Sequence, residues 1–212
     1  MVLRELLTGA GYGLADMRAV ALATEGLEPA ADRILAISVA PMEGDDPPAT
    51  VYIEGGNALS SGCSGINPAT YRFLAVSPEL AVQEILEMLG PSRIVVGHNL
   101  ERFAIPFLDN LTPRLMQGRI GLDTMLLART MAPAAAVRKA VAIDHVRELD
   151  AALLGVPYDH ARRWGLEELC KEKLSDSLPR PVRNVFLLRT LFRGMWEGQD
   201  PIPARLRGEA GA

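Results

Sequence analysis

Two β-prone apolar runs, Arg18–Ala23 and Arg33–Ala40, lie close together and constrain this chain more than any other feature. A turn at Gly26–Pro29 separates them, and a third short run, Thr50–Glu54, follows the Gly44–Pro48 loop (GDDPP). Apolar, β-branched runs bounded by Gly, Pro and Asp read as strands, and three in close succession predict an antiparallel meander. The period then changes. Pro78–Leu89 places Leu80, Val82, Ile85, Leu86 and Leu89 at helical spacing. Arg93–Gly97 is a compact apolar strand that runs into His98. Helices are predicted at Glu101–Asn110, Thr124–Met131, Asp144–Leu154, Gly165–Lys173 and Val182–Trp196, with an amphipathic one at Met1–Thr8 closed by the Gly9–Gly13 turn. The order predicts an α/β protein, a mixed sheet with flanking helices.

With 212 residues and 49% hydrophobic content, the chain can bury one substantial core. The expected organisation is a single domain over residues 1–197, including an N-terminal helix and turn at 1–13, then a flexible tail at 198–212. A net charge of −4 argues against broad electrostatic affinity for nucleic acid. Cys63 and Cys170 are too few and too far apart for a metal site or a disulfide framework. No apolar run reaches membrane-spanning length and Met1–Ala10 lacks a secretory core, so a cytoplasmic protein with no membrane partner is expected. No Gly-rich phosphate loop, Cys/His cluster or Ser-His-Asp arrangement stands out.

Val20–Ile37 reads VALATEGLEPAADRILAI. It resembles, without a gap, the first motif of the DnaQ-like proofreading exonucleases (the DEDD superfamily, DNA polymerase III epsilon-like), roughly D-x-E-T-T-G-L-D-P-x-x-D-R-I-x-E-I. In that register the two metal-binding carboxylates fall on Ala21 and Ala23, and a further frequent Glu falls on Ala36. The non-catalytic letters stand at Thr24, Gly26, Leu27, Pro29, Asp32, Arg33 and Ile34. Ile94–Leu108 (IVVGHNLERFAIPFL) is similar to V-x-H-N-x-x-F-D-x-x-F-L, matched at His98, Asn99, Phe103, Phe107 and Leu108, with Ala104 in place of the carboxylate. Gly121–Arg129 (GLDTMLLAR) resembles L-D-T-x-x-L-A-R, in which Asp123 or Thr124 caps a helix. The last motif, H-x-x-x-x-D, has a preferred register with its His on Pro179 and its Asp on Asn184. A second register has them on His160 and Gly165, and neither restores the pair.

The resemblance spans Arg18–Trp196 and implies an RNase H-like fold. Enzymes of this family hold two Mg²⁺ or Mn²⁺ ions about 3.5–4 Å apart on carboxylates and clamp the attacking and leaving oxygens of a phosphodiester. Hard cations need oxygen ligands. Ala21, Ala23, Ala104 and Asn184 provide no anionic oxygen, so the expectation is no catalytic residue, no metal and no cofactor. The implied function is a catalytically degenerate 3′→5′ exonuclease-like domain, retained for weak binding of single-stranded nucleic acid or for a protein partner, with no oligomeric state implied. Thr24, Glu25, Gly26, Leu27, His98, Asn99 and Phe103 are the candidate groove contacts, with Leu27 as a wedge. The alternative is an active metal-dependent exonuclease with displaced ligands drawn from Glu25, Glu101, Asp109, Asp159, Glu167 or Glu168. Each position also has a plain structural reading. His98 and Asn99 bond local backbone, Phe103 and Phe107 are core, and Glu25 is solvated. Arg162–Trp164 starts a helix, and Arg180, Arg183, Arg189 and Arg193 form a solvated face.

Overall fold

In the computed structural model, which describes residues 3–57, 65–131 and 178–199, five strands form one sheet of order β3-β2-β1-β4-β5. The strands are β1 (Met17–Thr24), β2 (Ile34–Pro41), β3 (Ala49–Tyr52), β4 (Ile94–Gly97) and β5 (Ile120–Asp123). β1, β2 and β3 pair antiparallel as the predicted meander, and β4 and β5 add parallel to β1. The helices are α1 (Leu3–Gly9), α2 (Pro68–Leu74), α3 (Pro78–Leu89), α4 (Ile105–Leu111), α5 (Thr124–Met131) and α6 (Arg180–Trp196). Met17, Ala19, Ile94 and Val96 point to one face, under α1, α5 and α6. Val20, Leu22, Ile37, Val39 and Val95 point to the other, under α3 and α4. Both faces are covered, so β1 and β2 are nearly continuous in apolar character instead of alternating with polar residues.

The predicted third strand ends earlier than expected. Ile53 N–H still donates to the Leu35 carbonyl of β2 at 3.0 Å, but the residue also forms a parallel bridge with Val76. Helix α2 lies where no helix is predicted, although its signal is local: Asn67 accepts hydrogen bonds from Ala69 and Thr70 N–H at 2.8 and 3.3 Å, and Pro68 opens the helix. The predicted helix Glu101–Asn110 divides into a π turn, Leu100–Ala104, followed by α4. The predictions at Asp144–Leu154 and Gly165–Lys173 lie outside the described residues, as do His160, Gly165, Arg162–Trp164, Cys63, Cys170 and most of the proposed tail. Among the described residues no helix is long and apolar enough to cross a membrane.

Of the arginines of α6, Arg180 is exposed as expected, but Arg189 and Arg193 are not part of a solvated face. Arg189 is 4% exposed, and with Arg193 one turn later it grips the loop between β2 and β3. Arg189 donates to the Asp46 carbonyl at 2.5 Å, while Arg193 donates to the Met42 carbonyl at 3.0 Å and to Asp45 Oδ1 at 2.8 Å. The i, i+4 spacing puts both guanidinium groups on one helix face, above the loop. Burial pulls the Arg189 pKa below its ordinary value. The Arg193 hydrogen bond, then its charge, holds the Asp45 carboxyl below its own. Because the folded pKa of Asp45 is depressed, its contribution is present above the unfolded pKa and is lost as pH falls through the folded one. D45N is therefore expected to melt below the native chain at neutral pH, with the gap closing below about pH 4. Arg189→Ala removes buried packing as well as the loop bonds and is expected to cost about 2–3 kcal/mol in urea unfolding.

Candidate nucleic-acid interface at the carboxyl end of β1

The loop joining β1 to β2 is held from several sides. Thr24 Oγ1 donates to the Gly26 carbonyl at 2.6 Å. Asp32 Oδ2 accepts from Glu28 N–H at 2.8 Å, and its carboxylate lies so close that a Cβ on Gly26 would meet Oδ2 at 2.3 Å. Arg33 reaches the Gly55 carbonyl, and Asn110 Nδ2 on α4 donates to the Pro29 carbonyl at 2.6 Å. Glu25 is half-buried, not solvated: its carboxylate accepts from Arg33 N–H at 3.2 Å and from Asn57 N–H. The Gly26 and Leu27 N–H groups make no hydrogen bond to another described residue. Leu27 projects from this frame, 76% exposed.

The positions where the resemblance expects metal ligands divide between the two faces of the sheet. Ala21, half-buried, packs against the core beneath α6, and Ala23 is directly opposite Ala36 in the β1–β2 ladder. Ala23 and Ala36 share a small cluster with Leu35, Ile66 and Tyr71. Asn184 is half-buried in the second turn of α6, and Pro179 stands at its N-cap. Ala104, also buried, joins the core of the opposite face with Leu100 and Phe107. The three alanines offer methyl groups and Asn184 a carboxamide, so this set does not fit a pair of hard divalent cations. Among the described residues no three His, Cys, Asp or Glu side chains are grouped to hold a metal ion. Of the alternative acids, Glu25 is already committed to two backbone amides, and Glu101 and Asp109 are exposed. Asp159, Glu167 and Glu168 lie outside the described residues.

Beside β1, Asp123 ties the end of β4 to the start of α5. Its carboxylate, 5% exposed, accepts from Asn99, Glu101 and Met125 N–H at 3.0, 3.3 and 2.9 Å. The expected cap is therefore real and also crosses strands. His98 reaches across to the start of α5: its Nδ1 lies 2.9 Å from Thr124 Oγ1. That hydroxyl donates to the Gly97 carbonyl at 3.2 Å, so its lone pair receives the His98 Nδ1–H. Asn99 holds the left-handed conformation at φ 54°, and its Oδ1 is buried without a hydrogen-bond partner among the described residues.

The His-Asn-Phe match needs a correction in spacing. Its pattern puts two residues between Asn and Phe, whereas Leu100, Glu101 and Arg102 stand between Asn99 and Phe103. The π turn absorbs the additional residue, with Ile105 N–H donating five residues back to the Leu100 carbonyl. Phe107 is fully in the core as predicted. Phe103 is only half-buried, its ring 5.0 Å from that of Phe107.

No protein-family profile matches this chain, and no curated protein matches it. Solved structures do. Exonuclease I, in a structure addressing its processivity, superposes with a TM-score of 0.59 at 15% identity over 91% of this chain and 42% of its own. The zinc-bound complex of E. coli exonuclease I with single-stranded DNA gives 0.57 at 14% identity, covering 84% of this chain and 39% of the other. A product-bound exonuclease I gives 0.57 at 15% identity, covering 91% and 45%. This chain thus spans less than half the length of each. The fold, a mixed five-stranded sheet with flanking helices, is that of the matched part of exonuclease I.

Proposed function

We propose that this chain is an exonuclease-like domain that binds the end of a single-stranded nucleic acid without hydrolysing it. The observation that carries the reading is the division of labour in the β1–β2 loop. Thr24, Asp32, Arg33 and Pro29 are spent on internal hydrogen bonds, Gly26 on close approach and Ile34 on the core. Leu27 has no such internal task and is presented to solvent. An apolar side chain held out by a rigid frame, beside two backbone N–H groups, suits a base face and a phosphate. The solved relative bound to single-stranded DNA supports the same reading by its fold. Methyl groups and a carboxamide at the ligand positions support binding without hydrolysis, since the two-metal route has no anchor there.

The test is fluorescence anisotropy with labelled 12-nucleotide DNA and RNA strands, with EDTA and separately with Mn²⁺, followed by gels. Salt-dependent binding that EDTA leaves unchanged is expected, with strands of full length throughout. Leu27→Ala is expected to weaken binding about fivefold or more, the size of a lost stacking contact. Stepwise shortening in Mn²⁺ would establish an active enzyme instead. Absence of binding would leave a protein partner as the ligand of this face.

A further inference from the structure

The β1–β2 loop has an underside. A cavity of about 290 Å³ opens there, between the loop, the end of β3, the head of α3 and the length of α4. The geometry points to this cavity as the docking site for a segment of a partner protein that presents one aromatic or branched apolar side chain beside a lysine or arginine.

The floor is apolar, made by Ile34, Ile53, Phe107 and Leu111. Its volume falls just under the range of about 300–1,000 Å³ typical of small-molecule sites, so it suits a single side chain better than a whole cofactor. The rim carries Asp32, Arg33, Glu54 and Asn110. Arg33 is tied to the Gly55 carbonyl, and the Asn110 amide nitrogen is given to Pro29. Arg33 keeps guanidinium N–H groups beyond the one given to Gly55. The rim nevertheless sets two carboxylates, Asp32 and the exposed Glu54, against that one cation and adds the Asn110 carbonyl oxygen, so its balance is anionic and accepting. A cationic donor beside the apolar anchor is the complement.

The surface around the opening supports a protein partner. Six large apolar side chains are exposed among the described residues, and three of them, Phe73 (87%), Leu74 (45%) and Leu80 (44%), fall within one short stretch. That stretch is fastened to the rim, because Val76 N–H donates to the Tyr52 carbonyl at 2.9 Å and Glu54 N–H to the Val76 carbonyl at 2.8 Å. An apolar margin fixed beside a preformed pocket is the pattern of an interaction surface, with the pocket taking the anchor residue. Glu79, exposed on the first turn of α3 next to the lining residue Pro78, adds a further carboxylate.

The proposal is tested by titrating the ¹⁵N-labelled full chain with acetyl-Lys-Trp-Lys-amide and, separately, with acetyl-Glu-Trp-Glu-amide and tryptamine. Saturable shifts at Glu54, Asn110 and Leu111 with the basic peptide alone are expected. Glu54→Gln should weaken that binding about two- to fivefold, the scale of one exposed ion pair. Leu111→Phe, checked for folding by its melting curve, should fill the floor and abolish it. Equal response to the acidic peptide, tryptamine binding as tightly as the peptide, no saturation, or indifference to E54Q would each overturn the assignment. Strand binding by E54Q, measured by anisotropy, stays at the native level, so a failure here is separable from a failure of the nucleic-acid reading.

Discussion

Asp123→Ala is expected to lower the free energy of unfolding by about 3–5 kcal/mol, the largest single-residue loss among the site residues. The carboxylate accepts three backbone N–H groups from three different places: the left-handed residue after β4, the π turn, and the first turn of α5. At 5% exposure, water cannot replace it without opening the junction. Hydrogen bonds to a charged group contribute about 1.5–3 kcal/mol each, and stranded buried donors carry a further penalty, so partial relaxation still leaves a loss of that size. Asp123→Asn preserves shape and one acceptor oxygen but turns an amide N–H toward backbone donors, and is expected to recover about half of the loss. Urea unfolding of the two variants beside the native chain checks this. A loss under about 1 kcal/mol for D123A would mean that the turn is held by something other than this carboxylate.

Asp123 also shows what the sequence could and could not reveal. Its role as a helix cap is legible from L-D-T at a strand-to-helix boundary, because a cap is a local event and its signature is local. Its bonds to Asn99 and Glu101 span 24 and 22 residues and have no local signature. The same division runs through the molecule. The strands of the meander follow from short apolar runs bounded by turn residues and the span of α3 from helical apolar periodicity, both of which report burial directly. The arginines of α6 do not: Arg189 and Arg193 read as a polar face until the loop carrying Asp45 and Asp46, more than 140 residues away, is folded beneath them. Glu25 misleads for the same reason, since Asn57 reaches it from the far end of β3.

The π turn is an instructive intermediate case. The apolar spacing of Phe103, Phe107 and Leu108 predicts a helix and the structure has one, yet one residue too many separates Asn99 from Phe103. An α-helical turn would rotate everything beyond that point by about 100° per added residue and carry Phe107 out of the core. Widening one turn absorbs the surplus and keeps Phe107 and Leu108 buried. Core packing thus fixes the register of α4, and the residues between Asn99 and Ala104 take up the difference. Burial of Ala104 against the α3 face accompanies this arrangement. A carboxylate there would stand among apolar side chains, an unfavourable place for an unpaired charge, and alanine suits the position.

Gly26→Ala is expected to separate binding from stability. The added methyl would come within 2.3 Å of Asp32 Oδ2, and that oxygen is not free to swing away, because it already accepts from Glu28 N–H. Either the carboxylate leaves and the Glu28 bond breaks, or the backbone at Gly26 shifts and the bond from Thr24 is lost. One hydrogen bond is at stake in each case, exposed at Glu28 and part-buried at Thr24, so the cost to folding is about 1 kcal/mol. The consequence for Leu27 is larger, because either shift disturbs the loop from which its side chain projects. Single-strand affinity is expected to fall about tenfold or more, beyond the effect of Leu27→Ala, since the backbone N–H groups beside it are misaimed as well. Anisotropy and thermal melting on the same preparation read both quantities. A fall in melting temperature with unchanged affinity would place the strand elsewhere on the molecule. A tenfold loss of affinity in a chain that still melts near the native temperature would tie the strand to this loop.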